Sequence, residues 1–249
     1  SKALNVTFKN KDPFAIYYMD YLCVDRNERN KGIAPQIIQT HIYNQRQRNS
    51  NIKVSFFKRE STLTNIVPFV LYKSYRFSID KLTFVNSLAS TLKVIEITKL
   101  NIRLLLELII CKKDYFDCMI YPDISNILSL IEANNIHIYG IINNDALISV
   151  YIFKESNISY DNNLSINLIS TINNCDENSI FISGFVQSIK HLLKKINVYT
   201  ILIEDISNND IIIENLLKKS TPLIVSPTAF YFYNYLIKTI YNNSLFIIY

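Results

Sequence analysis

The chain has 249 residues, of which 49% are apolar and 19% charged, and this is enough to bury a sizeable core in one large domain or two lobes. Its 26 Lys and Arg residues outnumber its 21 Asp and Glu residues, and the net charge of +5 suits a phosphate-bearing ligand but is too small for a nucleic-acid-binding protein. The apolar runs are shorter than the ~18 residues that a bilayer crossing takes, and the first residues do not resemble a signal peptide, so we expect a cytoplasmic protein without a transmembrane segment.

The first part of the chain predicts a β-hairpin followed by a loop and a helix. Residues 4–8 and 14–24 are rich in β-branched and aromatic side chains, and a turn at 10–13 separates them. A helix is predicted from Pro35 onwards, because apolar residues recur there at helical spacing and proline suits a first helical turn. The polar segment 25–34 is therefore predicted to be a strand-to-helix loop.

The remainder of the chain predicts an α+β arrangement. A short strand is expected at 52–57, and the stretch from there to about residue 92 has no clear periodicity. Further strands are predicted at 92–97, 135–142, 146–154, 198–204, 229–237 and 244–249, helices at 101–113, 124–134, 185–196 and 210–220, and an Asn-rich connection at 171–178. This order, which ends in an aromatic hairpin, resembles a lobe of the GNAT acyltransferases, and it predicts a mixed central sheet flanked by helices.

The loop at 25–34 carries the motif with the clearest chemistry. Acyl-CoA transferases of the GNAT superfamily bind the CoA pyrophosphate where a strand ends and a helix begins, because the helix N-terminus offers unpaired N–H groups and a favourable dipole. Their pattern is Arg or Gln, two residues, Gly, any residue, and Gly or Ala, and this sequence matches it with Arg29, Asn30, Lys31, Gly32, Ile33 and Ala34. The alternative is an ordinary basic loop that closes a strand-to-helix turn.

A longer run, residues 19–48, resembles the N-myristoyltransferase family, in which the corresponding segment reads N-F-L-C-V, then R-S-K-R-L-A-P, then a helix. The shared residues are Leu22, Cys23, Val24, Arg29, Lys31, Ala34 and Pro35. The sequence differs from the family at Asp20, Tyr21 and Gly32. The resemblance implies that the loop up to Pro35 binds myristoyl-CoA as a co-substrate, and that the backbone N–H groups of Tyr21 and Leu22 form an oxyanion hole for the thioester. The alternative for these two residues is a core strand that simply continues.

The end of the chain resembles the closing strands of the same family. Segments 146–156 and 229–249 are similar to its D-F-L-S-F-Y strand and its Y-Y-L-Y-N-W … V-G-L-V-L hairpin. Members of the family use their C-terminal carboxylate as the base for the N-terminal glycine of the substrate, so the resemblance implies this role for Tyr249. The terminus is apolar to its last residue, which predicts a strand held inside the fold. A plain edge strand is the alternative.

Weaker similarities imply contacts with a peptide substrate. Segment 71–82 is similar to the family's peptide-groove stretch C-R-Y-W-H-R-S, and residues 204–205 fall where the family has an acidic and polar cluster facing that groove. The implied substrate-binding residues are Asp20, Tyr75, Arg76, Glu204 and Asp205. The sequence contains neither a Ser-His-Asp order nor metal-ligand spacing, so we expect no metal.

The resemblance divides the chain at residue 91. Residues 1–91 correspond to the C-terminal part of a first GNAT lobe with the acyl-CoA loop, and residues 92–249 correspond to a second lobe with the peptide side and the catalytic C-terminus. Family members have a long segment ahead of the strand at 4–8, so we expect this strand to be an exposed edge that a second chain or an N-terminal region covers. A proteolytic boundary, a separate subunit and a shortened relative that no longer catalyses all fit.

The resulting hypothesis is an acyltransferase that moves a myristoyl or related acyl group from acyl-CoA to the N-terminal glycine amine of protein substrates. Two alternatives stay open. A non-catalytic structural or binding subunit that retains the fold is favoured by the missing N-terminal part and by the changes at Asp20, Gly32 and Tyr75. A small-acyl N-acetyltransferase is favoured by Gly32, which restores the general superfamily pattern.

Overall fold

The computed structural model describes residues 1–61, 66–82, 88–156 and 164–249. Within these ranges, 12 strands form one mixed sheet and five α-helices flank it. The strands are β1 (Lys2–Phe8), β2 (Phe14–Met19), β3 (Ser55–Glu60), β4 (Val70–Ser78), β5 (Leu92–Glu96), β6 (Cys118–Tyr121), β7 (Ile136–Asn143), β8 (Ala146–Glu155), β9 (Ser165–Asn173), β10 (Thr200–Glu204), β11 (Ile224–Tyr233) and β12 (Leu245–Ile247). The helices are α1 (Ile33–Arg48), α2 (Ile102–Cys111), α3 (Ile124–Glu132), α4 (Asn178–Leu193) and α5 (Asn209–Leu217).

The strands lie in the order β12-β6-β1-β2-β3-β11-β4-β10-β9-β8-β7-β5. Three neighbouring pairs are parallel, namely β12 with β6, β2 with β3, and β9 with β10. Parallel neighbours require a crossover, and α1 supplies it between β2 and β3. The candidate site lies where β2 ends beside β3.

Two apolar cores hold the helices against the sheet. Helices α2 and α3 contribute Leu105 and Ile127 to a core that also contains the last five residues of the chain, Leu245–Tyr249. Helices α4 and α5 contribute Phe185 and Ile212 to the other core. Removal of this apolar surface from water is the main term that stabilises the fold.

Several elements agree with the sequence-based predictions. Strands β1 and β2 form the expected hairpin, and Asn10 in its turn has a left-handed φ of 64°. Strands β7 and β8 are joined through Asn144 and Asp145, whose φ values of 46° and 65° are both positive, as a type I′ hairpin turn requires. The mixed sheet with flanking helices confirms the predicted fold class.

Sequence patterns miss β4, β6 and β9. Strand β4 lies between β11 and β10 in the sheet, but its buried side includes Ser74 and Arg76, so the apolar alternation that marks a strand is interrupted. Strand β9 extends to Asn173, and the predicted connection at 171–178 is therefore wrong over its first residues. Residues 62–65 and 83–87 of the unassigned stretch lie outside the described residues.

Two predictions about strand pairing are wrong. The strand at 4–8 is not an edge, because β1 pairs with β2 on one side and with β6 on the other. The closing hairpin of 229–237 and 244–249 does not form, because β11 pairs with β3 and β4 whereas β12 pairs with β6. Both errors have one cause: the short strand β6 occupies the position between β1 and β12.

The sheet joins strands from both sides of the boundary predicted at residue 91, and the division into two lobes stays a prediction. In the described part of the chain, every helix falls short of the length and apolar character that a membrane crossing requires. In the same residues, no three His, Cys, Asp or Glu side chains come together around a potential metal position.

Candidate active site

The candidate site begins at the end of β2. The ladder between β2 and β3 stops at Met19 opposite Phe57, whereas β3 continues to Glu60 alongside β11. The predicted strand to residue 24 is therefore wrong over its last part, because the chain leaves the sheet after Met19. No backbone carbonyl of the described residues accepts a hydrogen bond from the Leu22 N–H. This stretch therefore offers backbone donors that the sheet does not use.

Tyr21 and Leu22, the predicted oxyanion-hole residues, lie in exposed chain directly after β2. Tyr21 is 64% exposed and has a left-handed φ of 59°. Its N–H donates to Oδ1 of Asp20 at 3.0 Å. In the predicted oxyanion hole, a thioester oxygen would accept from this same N–H. Asp20 must therefore turn away before the Tyr21 N–H can donate to a substrate.

The predicted phosphate loop ends in a left-handed glycine at the start of α1. Gly32 has a φ of 76°, and a Cβ added there would meet nothing within 4 Å. Helix α1 begins at Ile33 and has no acidic residue in its first turn, so its N-terminal dipole and N–H groups favour an anion. Helix α1 begins two residues before the predicted start at Pro35. Pro35 is its third residue, where the missing N–H costs no intrahelical hydrogen bond.

Arg29 and Lys31 carry the positive charge of this loop. Lys31 Nζ lies 2.9 Å from Oε2 of Glu28, and both side chains are about half exposed, so the pair contributes at most about 1 kcal/mol. Arg29 Nε donates to the carbonyl of Val24 at 3.5 Å, which is a long hydrogen bond. Both cations are thus held weakly enough to turn toward a phosphate.

The other half of the site is the end of the chain. Residues Leu245–Tyr249 are all buried, and Tyr249 is only 1% exposed. Strand β12 runs parallel to β6, and the Ile248 N–H donates to the Ile120 carbonyl at 2.8 Å. The predicted inclusion of the apolar terminus in the fold is confirmed.

The Tyr249 hydroxyl enters a buried group of charged and hydroxyl side chains. Glu204, whose side chain is 0% exposed, accepts from the Tyr249 hydroxyl at Oε1 and from the Tyr72 hydroxyl at Oε2, each at 2.6 Å. Lys58 Nζ lies 3.1 Å from Glu204 Oε1 and 2.8 Å from Glu60 Oε1, and it donates to the Tyr249 hydroxyl at 3.1 Å. Both oxygens of the Glu204 carboxylate thus have partners, as a buried charge requires.

Burial sets the protonation states in this group. It raises the pKa of Tyr249, and the Glu204 carboxylate raises that pKa further, so the hydroxyl stays a neutral donor. The same two causes raise the pKa of Tyr72. For Lys58, burial by itself lowers the pKa, but the charges of Glu204 and Glu60 outweigh burial and raise it, so Lys58 is cationic.

Lys154 connects the end of β2 with the end of the chain. Its Nζ lies 3.5 Å from Oδ2 of Asp20 and 4.1 Å from the centroid of the Tyr249 ring, which is a cation–π contact. The ring of Tyr18, also on β2, lies 4.9 Å from the Tyr249 ring between centroids. The residue just before the predicted oxyanion-hole amides and the last residue of the chain are therefore brought together.

Two predicted substrate residues are enclosed by the protein. Arg76 is buried, and its Nη1 donates to Ser165 Oγ at 2.8 Å and to Thr200 Oγ1 at 3.3 Å. Glu204 is occupied by the partners described above. Both side chains are buried and bonded within the protein, and their contact with a peptide stays a prediction.

Tyr75 and Asp205 are more accessible and lie close to each other. Burial raises the pKa of Tyr75, and the charge of Asp205 adds to this effect. The pKa of Asp205 is raised to about 6, first by burial and then by Asp210. Of the residues predicted to bind peptide, Asp20 is exposed and Tyr75 and Asp205 are half-buried, so solvent reaches these three.

Sequence reasoning does not identify Lys58, Lys154 and Tyr72 as parts of the site. A signal was present for the two lysines, since each follows aromatic or apolar residues within a strand, in SFFKRE and in VYIFKE. A lysine buried in such a strand needs a partner, and this marks it as a member of a polar group. Tyr72 carries no comparable signal, because tyrosines are frequent in this chain.

Comparison with solved structures identifies related folds. A crystal structure of Saccharomyces cerevisiae N-myristoyltransferase with bound myristoyl-CoA matches with a TM-score of 0.70 and 14% identity, covering 96% of this chain and 64% of that chain. A tandem GNAT protein from the clavulanic acid biosynthesis pathway matches with a TM-score of 0.58 and 10% identity, covering 89% of this chain and 77% of that chain. A GCN5-related N-acetyltransferase from Kribbella flavida matches with a TM-score of 0.50 and 12% identity, over 91% and 55%. No family model and no curated protein sequence matches the chain.

The chain therefore has the fold of the GNAT acyltransferases. Within that class, the resemblance to N-myristoyltransferase noted in the sequence is confirmed at the level of the fold, over 96% of this chain. The chain spans 64% of the length of the yeast enzyme.

Proposed function

We propose that the protein is an N-acyltransferase that moves a myristoyl or related acyl group from acyl-CoA to the N-terminal glycine amine of a protein substrate. One observation carries the proposal: Lys154 contacts both Asp20, which precedes the predicted oxyanion-hole amides, and the terminal residue Tyr249. The shared fold supports it, because the yeast enzyme of this fold was crystallised with myristoyl-CoA.

Each part of the site has a task in this reaction. The N-terminus of α1, with Arg29 and Lys31, binds the CoA pyrophosphate. The Tyr249 carboxylate accepts a proton from the glycine ammonium, and the neutral amine attacks the thioester carbonyl. The N–H groups of Tyr21 and Leu22 stabilise the charge that forms on the carbonyl oxygen. As the new C–N bond forms and the C–S bond breaks, CoA leaves as a thiolate and takes up the second proton of the amine.

A binding and transfer experiment tests the proposal against its two alternatives. Calorimetric titration with myristoyl-CoA and acetyl-CoA is followed by a transfer assay on a peptide with N-terminal glycine, with the same peptide starting with alanine as the control. We expect myristoyl-CoA to bind and the acyl group to be transferred to the glycine peptide only. Transfer from acetyl-CoA alone would instead identify an N-acetyltransferase. Absence of binding at high micromolar concentration, with the circular dichroism of the fold intact, would leave a structural or binding subunit.

A further inference from the structure

The last residue of the chain is held by its side chain as well as by its backbone. The Tyr249 hydroxyl donates to Glu204 Oε1 at 2.6 Å and accepts from Lys58 Nζ at 3.1 Å. Its ring packs against Tyr18 and Phe230, with centroid distances of 4.9 Å and 5.8 Å. Contacts on both the ring and its oxygen therefore fix the orientation of the final side chain.

Backbone hydrogen bonds alone stabilise the position of the last residues only weakly. Strand β12 is three residues long, and in the described sheet it is an edge strand whose ladder partner is β6. Terminal residues fray unless contacts tie them down. The hydroxyl contact acts on Tyr249, the residue that carries the terminal carboxylate.

Stability does not account for a charged group at this position. Burial of Glu204 and Lys58 costs a desolvation energy that their attraction roughly offsets, and apolar side chains of similar volume stabilise a core at least as well. A buried charged pair instead fixes the orientation of the groups bonded to it, because its hydrogen bonds can form in only a few arrangements of the side chains. Glu204 is itself fixed at two further points, by the Tyr72 hydroxyl and by Asn209 Nδ2, which donates to the Glu204 carbonyl at 2.6 Å.

We infer that Glu204 and Lys58 are positioning residues for the C-terminal carboxylate and that they act through the hydroxyl of Tyr249. The catalytic meaning of this inference rests on the proposed function, whereas the anchoring is a property of the folded chain. The two side chains hold the group that accepts the proton and do not themselves exchange protons with the substrate.

The variants Tyr249→Phe and Tyr72→Phe form a matched pair that tests the inference. Each removes one hydroxyl that donates at 2.6 Å to the same Glu204 carboxylate. Tyr249→Phe also removes the oxygen that accepts from Lys58 Nζ, and of the two variants it alone frees the chain end. Carboxypeptidase A release of the last residue, followed by mass spectrometry under native conditions, measures the anchoring. Steady-state acyl transfer from myristoyl-CoA measures the positioning.

We expect similar thermal midpoints for the two variants. Release of the last residue is expected to be about tenfold faster in Tyr249→Phe than in Tyr72→Phe, since a hydrogen bond to a charged group is lost from the terminus itself. The kcat of Tyr249→Phe is expected to be about tenfold below that of Tyr72→Phe, with the same KM for acyl-CoA in both, because a misplaced base slows the chemical step and not the binding of CoA.

The outcomes separate the inference from the proposed function. Equal release rates in the two variants would overturn the anchoring. Faster release with equal kcat values would overturn the positioning role of Glu204 and Lys58. If the wild-type protein transferred no acyl group while the release rates differed as expected, the proposed function would fall and the anchoring would stand.

Discussion

The loop after β2 and the buried cluster around Tyr249, which contains Lys58, Tyr72 and Glu204, form two halves of one candidate site, and they are built in different ways. The loop is exposed, and apart from the contact of Asp20 with Lys154 its hydrogen bonds join neighbours in sequence, such as Asp20 with Tyr21. The buried cluster has contacts that join distant residues, such as Lys58 with Tyr249. Backbone donors tolerate changes of side chain, whereas a buried charged group depends on each of its members. We therefore expect large effects of substitution in the cluster around Tyr249 and smaller effects in the loop.

The largest effect on stability is expected from Glu204→Ala. This variant leaves the largely buried Lys58 without its buried carboxylate partner, with only the half-exposed Glu60 remaining, and leaves two tyrosine hydroxyls without an acceptor, which costs about 3–5 kcal/mol of the free energy of unfolding. Glu60→Gln is the control, because Glu60 pairs with the same lysine but is 42% exposed, and its loss costs less than about 1 kcal/mol. Urea denaturation of both variants measures the difference. Equal losses for the two substitutions would show that burial does not distinguish these carboxylates.

Lys154→Met is expected to change the dependence of stability on pH. Burial is the main cause that lowers the pKa of Lys154 from 10.5 to about 8. The positive charges of Lys2 and Lys58 lower this pKa further, whereas the negative charges of Asp20 and Glu204 oppose the shift. The folded state therefore binds fewer protons than the unfolded state between pH 8 and 10.5. Consequently, this lysine destabilises the fold below pH 8, and the penalty disappears as the pH rises through that window.

At pH 7 we expect Lys154→Met to be more stable than the wild type by about 3 kcal/mol, with the difference shrinking toward pH 10.5. Denaturation with urea across pH 7–10.5 measures this, and the same substitution at Lys93, an exposed lysine on β5, is the control. A stability difference that stayed constant with pH would contradict the assignment of a buried ammonium.

Asp20→Asn is expected to raise kcat about tenfold. The carboxylate now accepts from the Tyr21 N–H, where its charge opposes the negative charge that forms on the thioester oxygen, and a neutral side chain removes this repulsion. Asp25→Asn is the matched control, since Asp25 lies in the same exposed chain and accepts from the Asn27 N–H at 2.8 Å. A kcat that fell in Asp20→Asn would mean that the charge at Asp20 assists the reaction.

The smallest effect is expected at Gly32. A left-handed φ costs alanine about 1 kcal/mol, whereas asparagine adopts it more readily, so Gly32→Ala destabilises the protein and Gly32→Asn is close to neutral. A Cβ at Gly32 is unhindered in the free protein, so a weaker affinity for CoA in both variants would arise from the approach of the phosphates. Thermal denaturation and calorimetric titration with CoA separate the two effects. Unchanged affinity in both variants would place the phosphates elsewhere.

The sequence predicts the loop better than it predicts the cluster around Tyr249, because the residues of the loop are close together in sequence and those of the cluster are far apart. The run of residues 29–35 predicts a glycine and a helix start within a few positions, and the structure has both, whereas the preceding strand ends earlier than predicted, at Met19. The cluster around Tyr249 is formed by residues of β3, β4, β8, β10 and the end of the chain, which are far apart in sequence. Strand β4 is not recognisable in the sequence, because Ser74 and Arg76 interrupt its apolar side. The hairpin predicted at the terminus was wrong for the same reason, since β6 and β12 pair only in the folded sheet.

The central claim is that the terminal carboxylate of Tyr249 takes part in the chemical step, and an extended chain tests it most directly. Three residues, Gly-Ser-Ser, appended after Tyr249 move the carboxylate away, and the same three residues at the N-terminus are the control. Myristoyl-CoA affinity and single-turnover transfer to a glycine peptide are measured for both. We predict that the C-terminal extension lowers the transfer rate at least about 100-fold while the Kd for myristoyl-CoA stays within about twofold. Transfer at the rate of the control would contradict the account.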